Sequence, residues 1–391
     1  MFKFIINFYA LIFFFDNCKI IKAQIHLTKD NLDSLCNCKS SQSYGMNLNN
    51  KNISTIDPLT INGLTSIREL WLSNNLLTTL DSSTFNGLTL LQTLLLSSNQ
   101  LVTIDPSTFN GLTSLRELKL DSNLLTSLDP SSFNGLTSLE SLFLSSNRLT
   151  TLDSSAFNGL TSLQSLSLSF NRIKTLDSST FKGLTMLQTL LLSSNQLVTI
   201  DPSTFNELTS LKELRLSFNQ IKTIHESTFN GLTSLQVLWL SFNQIKTIHP
   251  LTFKGLTLLH SLWLQFNQLT SIDPSSFNGL TSLRWLDYES NQLTSVDPST
   301  FNGLTSLYYL KLNGNQINKI EDGMFKGLSK LSELNLETNN IVSFNKNSLA
   351  GLTNLDKVCL FQNPISNLFP NLLTSICNGN SKCKVFIDSK C

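Results

Sequence analysis

Residues 115–138 read LRELKLDSNLLTSLDPSSFNGLTS, and this stretch decides the fold because the chain repeats it. Fixed positions give the 24-residue unit Leu-x-x-Leu-x-Leu-x-x-Asn-x-Leu-x-x-Leu-x-x-x-x-Phe-x-Gly-Leu-x-x. Its asparagine recurs without a break in register at Asn75, Asn99, Asn123, Asn147, Asn171, Asn195, Asn219, Asn243, Asn267, Asn291, Asn315, Asn339 and Asn363. An earlier, imperfect copy has Lys51 in the asparagine position. A fixed period of this length predicts a solenoid rather than a compact globule.

Each part of the unit has a physical task. The alternation Leu118-Lys119-Leu120 is typical of a short strand with one buried face, and successive strands are expected to pair in parallel. The remaining leucines and the recurring phenylalanine fill the interior and the convex side. The asparagine is expected to satisfy backbone groups of its own coil and of the next one, because an orphaned buried group costs about 1–3 kcal/mol.

Composition limits the classes of function. The 391 residues include 28 Lys plus Arg and 27 Asp plus Glu, and only 14% of the residues are charged. A nearly neutral chain gives no electrostatic reason to expect nucleic acid or an anionic membrane as a partner. We expect one repeat domain with two end caps, because the core of a solenoid grows with the number of coils.

The N-terminus and the cysteines indicate an extracellular protein. Lys3 followed by the apolar run 4–15 predicts a signal peptide over residues 1–23, too short to span a bilayer, and no later segment predicts a membrane span. The expected layout is then an N-terminal cap at 24–44, repeats at 45–364 and a C-terminal cap at 365–391. Asn52-Ile53-Ser54 predicts an N-glycosylation site. The mature chain keeps six cysteines near its ends, which are disulfide candidates: Cys36, Cys38, Cys359, Cys377, Cys383 and Cys391.

The repeat resembles the extracellular "typical" leucine-rich repeat family, found in Toll-type receptor ectodomains, Slit-type guidance proteins and variable lymphocyte receptors. The Cys36-Asn37-Cys38 pair and the Asn363-Pro364 step add to the resemblance. The resemblance implies an α/β-type solenoid, a horseshoe with a concave parallel β-sheet of about fourteen strands. It also implies an irregular or 3-10 convex side, cysteine-containing caps and ligand recognition on the concave face. Four cysteines near the C-terminus allow three pairings, which the sequence leaves open.

The concave face is where the repeats differ from one another. Side chains alternate along a strand, so the residues beside the strand leucines point into this face. All four tryptophans fall in these columns, and aromatic residues gather in the later coils. The candidate ligand-binding residues are Trp239, Trp263, Trp285, Tyr308, Tyr309, His260, Arg215, Asp287 and Lys311. The alternative is that repeat drift left aromatic side chains that only cover one another.

Four further phenylalanines directly precede the repeat asparagine: Phe170, Phe218, Phe242 and Phe266. We expect them to pack beneath the loop, with an extension of the aromatic patch along one edge as the alternative.

The sequence predicts neither a catalytic site nor a metal site. His225 and His249 replace Asp in adjacent coils beside Glu226, but two histidines without firm further ligands are weak evidence for a metal. Serines recur as repeat letters, and no catalytic motif is present, so neither an enzyme nor a cofactor is expected. The favoured function is a secreted recognition protein that binds a protein or glycan. The alternatives are a self-associating matrix or adhesion protein, for instance a homodimer, and a soluble relative of a cell-surface receptor.

Overall fold

The computed structural model describes residues 24–36, 44–344, 347–365 and 383–387. The chain begins with β1 (Ile25–Leu27), α1 (Lys29–Cys36), β2 (Gly45–Asn47), β3 (Ile53–Ile56) and the single turn α2 (Pro58–Ile61). Then come the strands β4 (Glu69–Trp71), β5 (Thr93–Leu95), β6 (Glu117–Lys119), β7 (Ser141–Phe143), β8 (Ser165–Ser167), β9 (Thr189–Leu191), β10 (Glu213–Arg215), β11 (Val237–Trp239), β12 (Ser261–Trp263), β13 (Trp285–Asp287) and β14 (Tyr309–Lys311). The last coils hold β15 (Lys319–Ile320), β16 (Glu333–Asn335), β17 (Ser343–Phe344), β18 (Lys357–Cys359) and β19 (Lys384–Phe386).

One parallel sheet of fifteen strands forms the concave face, in the order β2, β4 to β14, β16, β18 and β19. Fourteen of these strands come from the repeats, as predicted, and each pairs with the next at a separation of 24 residues, as Leu214 does with Leu238. The sequence did not predict β19, which adds a C-terminal segment to the end of the sheet. The horseshoe solenoid is therefore confirmed, with one strand more than the repeats supply.

The asparagine ladder joins neighbouring coils as predicted. Leu197 N donates to Asn219 Oδ1 at 3.0 Å, so the side-chain oxygen satisfies an N–H of the preceding coil. Asn219 Nδ2 donates to Leu192 O and Leu216 O, both at 3.0 Å. All thirteen ladder asparagines are buried. The side chain of each asparagine thus supplies hydrogen-bond partners for backbone N–H and C=O groups that have no backbone partner in the tight turn after the strand.

The residue before each ladder asparagine adopts a left-handed backbone. In most of the described coils its φ is near +55°, for example in Ser194 and Phe218. In one coil this position is a glycine, Gly314, whose φ is +68°. This conformation directs the N–H toward the next coil, where Phe218 N donates to Ser241 O at 3.1 Å. L-residues rarely adopt this φ, and a bulky side chain there is an outlier.

The convex side is irregular, as predicted. Its turns are closed by hydrogen bonds between residues three apart, such as Thr108 N to Asp105 O at 3.0 Å. Inside these turns, eleven phenylalanine rings from Phe85 to Phe325 stack at centroid distances between 6.2 and 6.5 Å. One continuous apolar core runs from Leu27 to Ile365. The phenylalanine column is therefore a core element that spans the whole solenoid.

The described parts of the two ends cover the core. At the N-terminus β1 pairs with β3, and Leu32 of α1 is buried. Cys36 and Cys383 are partly buried against the core, and Cys359 is fully buried. The predicted signal peptide and the cysteines Cys38, Cys377 and Cys391 lie outside the described residues. Cap boundaries, disulfides and signal cleavage stay predictions. Across the described ranges, no helix is both long and apolar enough to cross a bilayer.

Candidate ligand-binding surface

The predicted aromatic residues form one continuous row, which we call the aromatic row: Trp239, Trp263, Trp285, Tyr309 and Tyr308. Trp239 pairs with Trp263 across β11 and β12, and Trp285 pairs with Tyr309 across β13 and β14. Trp239 and Trp263 are the last residues of their strands, whereas Trp285 and Tyr309 are the first residues of theirs. The row therefore shifts by two residues along the strand direction between Trp263 and Trp285. In-register pairing of parallel strands brings residues 24 positions apart next to each other, and side-chain alternation puts them on the same face of the sheet.

The rings of the aromatic row contact one another along its whole length. Trp239 and Trp263 have centroids 5.5 Å apart, and Trp263 stacks on Trp285 at 5.1 Å and 17°. Trp285 lies 4.3 Å from Tyr309, which in turn meets the edge of Tyr308 at 4.7 Å. Trp263 and Trp285 thus stack face to face, and the other contacts of the row are tilted or edge-on.

Two cations extend the row. The Arg215 guanidinium lies 4.1 Å from the Trp239 ring centroid, and Lys311 Nζ lies 5.4 Å from that of Trp285. Arg215 also pairs with Glu213 at 2.5 Å, so its charge is partly compensated. Cation–π contacts of this kind hold the side chains in defined rotamers and contribute about 0.5–2 kcal/mol. Each tryptophan of the row is thus in contact with another ring or with a cation.

Two indole nitrogens of the row are buried without a hydrogen-bond partner among the described residues: Trp239 Nε1 and Trp285 Nε1. Gln265 Oε1 is likewise buried without a hydrogen-bond partner among the described residues. A buried, unpaired polar group costs about 1–3 kcal/mol. Other coils place a serine at the same positions, Ser141 in the column of Trp285 and Ser167 in the column of Trp239. The two unpaired nitrogens therefore count against tryptophan as a stabilising choice at these positions.

Asp287 lies in the predicted column, but it is not exposed. Asp287 is only 2% exposed, and its Oδ1 accepts a hydrogen bond from Glu289 N at 2.9 Å. Burial raises the pKa of this carboxyl to about 6, although the Glu289 N–H and Lys311 oppose the shift. Asp287 is therefore buried in this structure, and its role as a ligand contact remains a prediction.

The other predicted site residues are accessible. Tyr308 is exposed, and His260, Arg215 and Lys311 are half-buried on the concave face. Their roles as ligand contacts remain predictions.

Elsewhere on the face, charges pair within the sheet. Arg116 meets Glu140 of the next coil at 2.7 Å, and Lys119 meets Glu117 at 3.1 Å. These exposed pairs contribute little to stability. The early concave coils thus combine charged pairs with separate apolar side chains such as Trp71 and Phe143, whereas the rings of the aromatic row contact one another.

The four phenylalanines before the ladder asparagine do not pack beneath the loop, so that expectation is wrong. Phe170 is 51% exposed and Phe218 is 41% exposed. Phe218, Phe242 and Phe266 stack on one another at 4.2 and 4.3 Å along the edge of the sheet. The left-handed backbone at this position turns the side chain outward, which the letters of the repeat do not reveal. We call these three residues with Phe170 the phenylalanine edge.

The two convex histidines take over a structural task of aspartate. In most coils an aspartate accepts a hydrogen bond from the N–H two residues later, as Asp105 does from Ser107 at 2.9 Å. His249 Nδ1 lies 3.2 Å from Leu251 N in the same arrangement, and 3.1 Å from Glu226 Oε2. Among the residues that the structure describes, no group of three His, Cys, Asp or Glu side chains is placed to hold a metal.

The chain matches the leucine rich repeat family in ten overlapping segments that together run from residue 44 to residue 365. The comparison with curated proteins gives no match. Among solved structures, the Toll chain of the Drosophila Toll–Spatzle complex has a TM-score of 0.78 at 25% identity over 88% of this chain. The TLR13–ssRNA13 complex has a TM-score of 0.74 at 26% identity over 92% of this chain.

This chain spans only 47% of that Toll chain and 56% of the TLR13 chain. A leucine-rich repeat protein of Leptospira interrogans is matched over its whole length, with a TM-score of 0.72 at 26% identity over 93% of this chain.

Proposed function

Because the chain belongs to the leucine-rich repeat family, we propose that it is a recognition protein that binds a protein ligand across the aromatic row. The single observation that carries this proposal is the continuous contact of Trp239, Trp263, Trp285 and Tyr309 on four successive strands of the concave face. Tryptophan and tyrosine dominate binding hot spots because they bury a large area at low entropic cost. Toll in its complex with Spatzle is a structural neighbour, which fits a protein ligand.

The occupied ring faces favour a protein over a glycan. A sugar ring binds most strongly on an open aromatic face, and here Arg215 lies over the Trp239 ring while Trp263 and Trp285 stack face to face. Ring edges carry partial positive charge and suit the faces of other aromatic side chains and the oxygens of a peptide backbone. A folded protein supplies both groups, so it complements this surface better than a carbohydrate does.

The same surface is a poor match for nucleic acid, although the TLR13 neighbour is described in a complex with single-stranded RNA. Phosphate recognition requires several uncompensated cations. Arg215 pairs with Glu213, and the whole chain carries a net charge of only +1. We therefore place protein ahead of RNA.

The proposed protein acts outside the cell as a secreted product. The predicted signal peptide at 1–23, the glycosylation sequon at Asn52 and the six terminal cysteines support this location. In this proposal residues 24–44 and 365–391 act as disulfide-closed caps on the repeats, and the fold serves binding rather than catalysis.

The second candidate is a structural protein that self-associates, and it rests on the phenylalanine edge, where large apolar side chains are exposed. Sedimentation velocity separates the two functions. A recognition protein remains a monomer as its concentration rises, whereas a self-associating matrix protein gives a boundary that moves faster with concentration.

Affinity capture from native extracellular fluid tests the proposal. The bait is the mature chain, compared with a variant that carries Trp239→Ser, Trp263→Ser and Trp285→Ser. A matched control carries Trp71→Ser, Leu95→Ser and Phe143→Ser, three half-buried apolar side chains on the early concave coils. We expect the control to retain a protein that the tryptophan variant loses. Equal capture by all three proteins moves the site away from the aromatic row.

A further inference from the structure

Beside the phenylalanine edge, the segment that leaves each concave strand forms an exposed flank of the solenoid. In six successive coils these segments make up one surface, which we call the basic flank: residues 144–152, 168–176, 192–200, 216–224, 240–248 and 264–272. They contain no Asp or Glu, and they carry five exposed cations: Arg148, Arg172, Lys174, Lys222 and Lys246. The equivalent segments of the two adjoining coils contain Asp121 and Glu289. Positive charge is therefore concentrated here, on a chain whose net charge is only +1.

The backbone of the basic flank turns these cations outward and in line. Ile173, between Arg172 and Lys174, is fully buried, so the two cations alternate with a core residue and share the outer side. Arg172 N donates to Leu149 O of the preceding coil at 2.8 Å, which holds neighbouring segments in register. With about 4.8 Å between coils, the six segments extend over roughly 24 Å.

The charges of the basic flank are not compensated. Across the described ranges, none of the five cations forms an ion pair. The acids that follow them along the chain have other contacts. Asp153 and Asp177 begin convex turns, where each accepts a hydrogen bond from the N–H two residues later, and Glu226 meets His249 at 3.1 Å. The five cations are thus available to attract an anionic partner.

The phenylalanine edge belongs to the same six coils. Phe170 lies two residues before Arg172, and Phe218 lies four residues before Lys222. Phe170 is 51% exposed and Phe218 is 41% exposed. Both hold a left-handed φ that strains a bulky residue, at a position where other coils have serine, as in Ser290. Exposed apolar side chains on strained backbone indicate a functional surface.

Exposed phenylalanines beside uncompensated cations complement an anionic membrane. Aromatic rings enter the boundary between headgroups and acyl chains, while Lys and Arg attract acidic headgroups. An anionic polysaccharide would neutralise the cations but would offer nothing to the rings. The cations are also spaced unevenly, with two in one coil and none in the next. A fluid array of headgroups accommodates such spacing more readily than a rigid acidic partner does.

We propose that the basic flank and the phenylalanine edge together dock this protein on an anionic lipid surface. Phe170 and Phe218 insert at the headgroup boundary, and the five cations bind acidic headgroups. The total charge of the chain does not reveal this surface, because acids elsewhere balance the cations of the flank. The aromatic row lies on a different side of the coils, and the docking does not depend on the function proposed for that row.

Vesicle flotation of the mature chain tests the proposal. The probes are vesicles of phosphatidylcholine alone and vesicles of an equimolar mixture of phosphatidylcholine and phosphatidylserine. We expect binding at least about tenfold stronger on the mixed vesicles, and we expect added salt to weaken it. Equal binding to both kinds of vesicle, or binding to neither, overturns the proposal. Binding to polyglutamate but not to vesicles also overturns it, in favour of an acidic protein partner.

Two glutamine variants with the same loss of charge locate the contact. One replaces three cations of the basic flank: Arg172→Gln, Lys174→Gln and Lys222→Gln. The matched control replaces three exposed lysines that directly follow the convex phenylalanine of their coils: Lys182→Gln, Lys254→Gln and Lys326→Gln. The flank variant is expected to lose about fivefold in affinity per cation, on the order of a hundredfold in all, and the control less than about threefold. Equal losses overturn the proposal, because the affinity would then follow the net charge alone.

The double variant Phe170→Ser and Phe218→Ser tests the insertion of the rings. It introduces the residue that other coils have at this position and removes half-exposed side chains, so an unchanged circular dichroism spectrum is expected. With the charge unaltered, we expect at least about tenfold weaker binding to the mixed vesicles. Binding equal to that of the unmodified chain overturns the proposal. Because no variant alters the aromatic row and the vesicles contain no protein, failure here is distinguishable from failure of the proposed function.

Discussion

Each ladder asparagine connects three backbone groups of two coils, and this makes it hard to replace. Asn219 accepts from Leu197 N and donates to Leu192 O and Leu216 O while it is 7% exposed. No other side chain of similar size offers one acceptor and two donors in this arrangement.

Asn219→Ala is therefore expected to destabilise the chain by about 2–4 kcal/mol, because it leaves buried backbone groups without partners. Urea unfolding followed by circular dichroism measures the change as a lower midpoint. Asn206→Ala is the matched control, since Asn206 is exposed on the convex side, and a shift below about 0.5 kcal/mol is expected there. Equal shifts would show that the ladder does not hold the coils together.

Asp287, next to the aromatic row, makes the free energy of unfolding depend on pH. Its folded pKa of about 6 lies above the ordinary value of 3.8, because burial favours the protonated form. The folded state thus binds a proton that the unfolded state has lost between pH 4 and 6. The contribution of this carboxyl to stability therefore falls as the pH rises through that window.

Asp287→Asn is expected to stabilise the chain at pH 7 by up to roughly 2–3 kcal/mol and to leave it unchanged at pH 4. The measurement is the difference in urea midpoint between the variant and the unmodified chain at several pH values. Taking that difference removes the effect of the exposed aspartates such as Asp105, whose pKa is lowered by the Ser107 hydroxyl and N–H. A difference that is constant from pH 4 to 7 would contradict the assignment of the titration to Asp287.

Two phenylalanine columns on opposite sides of the same coils have different tasks. Phe229 is 1% exposed and stacks between Phe205 and Phe253 on the convex side, whereas Phe218 is 41% exposed at the sheet edge. Phe229→Ser removes core volume and is expected to cost about 3–5 kcal/mol. Phe218→Ser relieves a strained residue and loses one stacking contact, so a change within about 1 kcal/mol is expected.

Urea unfolding of these two variants checks that contrast, because the same substitution is made eleven residues apart. If Phe218→Ser costs as much as Phe229→Ser, the phenylalanine edge is part of the core and its exposure has no functional meaning.

The strands, their register and the convex phenylalanines could be predicted because they depend on spacing alone. Leu214 pairs with Leu238 because no insertion changes the 24-residue step. The orientation of Phe218 could not be predicted in this way, because it depends on a left-handed φ at a position where serine usually stands. The burial of Asp287 also escaped prediction, since it depends on which large side chains cover a given column. The strand β19 could not be predicted from the repeat either, because its residues lie outside the 24-residue units.

The solenoid as a whole is a sum of coils and their contacts with neighbours. Deletion of residues 93–116 removes one complete unit and rejoins the chain in register, away from the aromatic row. We expect this variant to unfold cooperatively with nearly the same urea midpoint. Deletion of residues 93–104 removes half a unit, breaks the asparagine ladder and exposes core leucines, so it is expected to aggregate or lose its β-sheet signal. Equal tolerance of both deletions would contradict the 24-residue coil as the folding unit.

The proposed recognition function predicts that the ligand binds the late concave coils and not the early ones. Hydroxyl-radical footprinting of the chain with and without the partner retained by affinity capture measures this directly. Trp263, Trp285 and Tyr308 are predicted to be oxidised several times more slowly in the complex, while Trp71 on β4 keeps its rate. Protection of Trp71 with unchanged oxidation of the late tryptophans would contradict binding at the aromatic row.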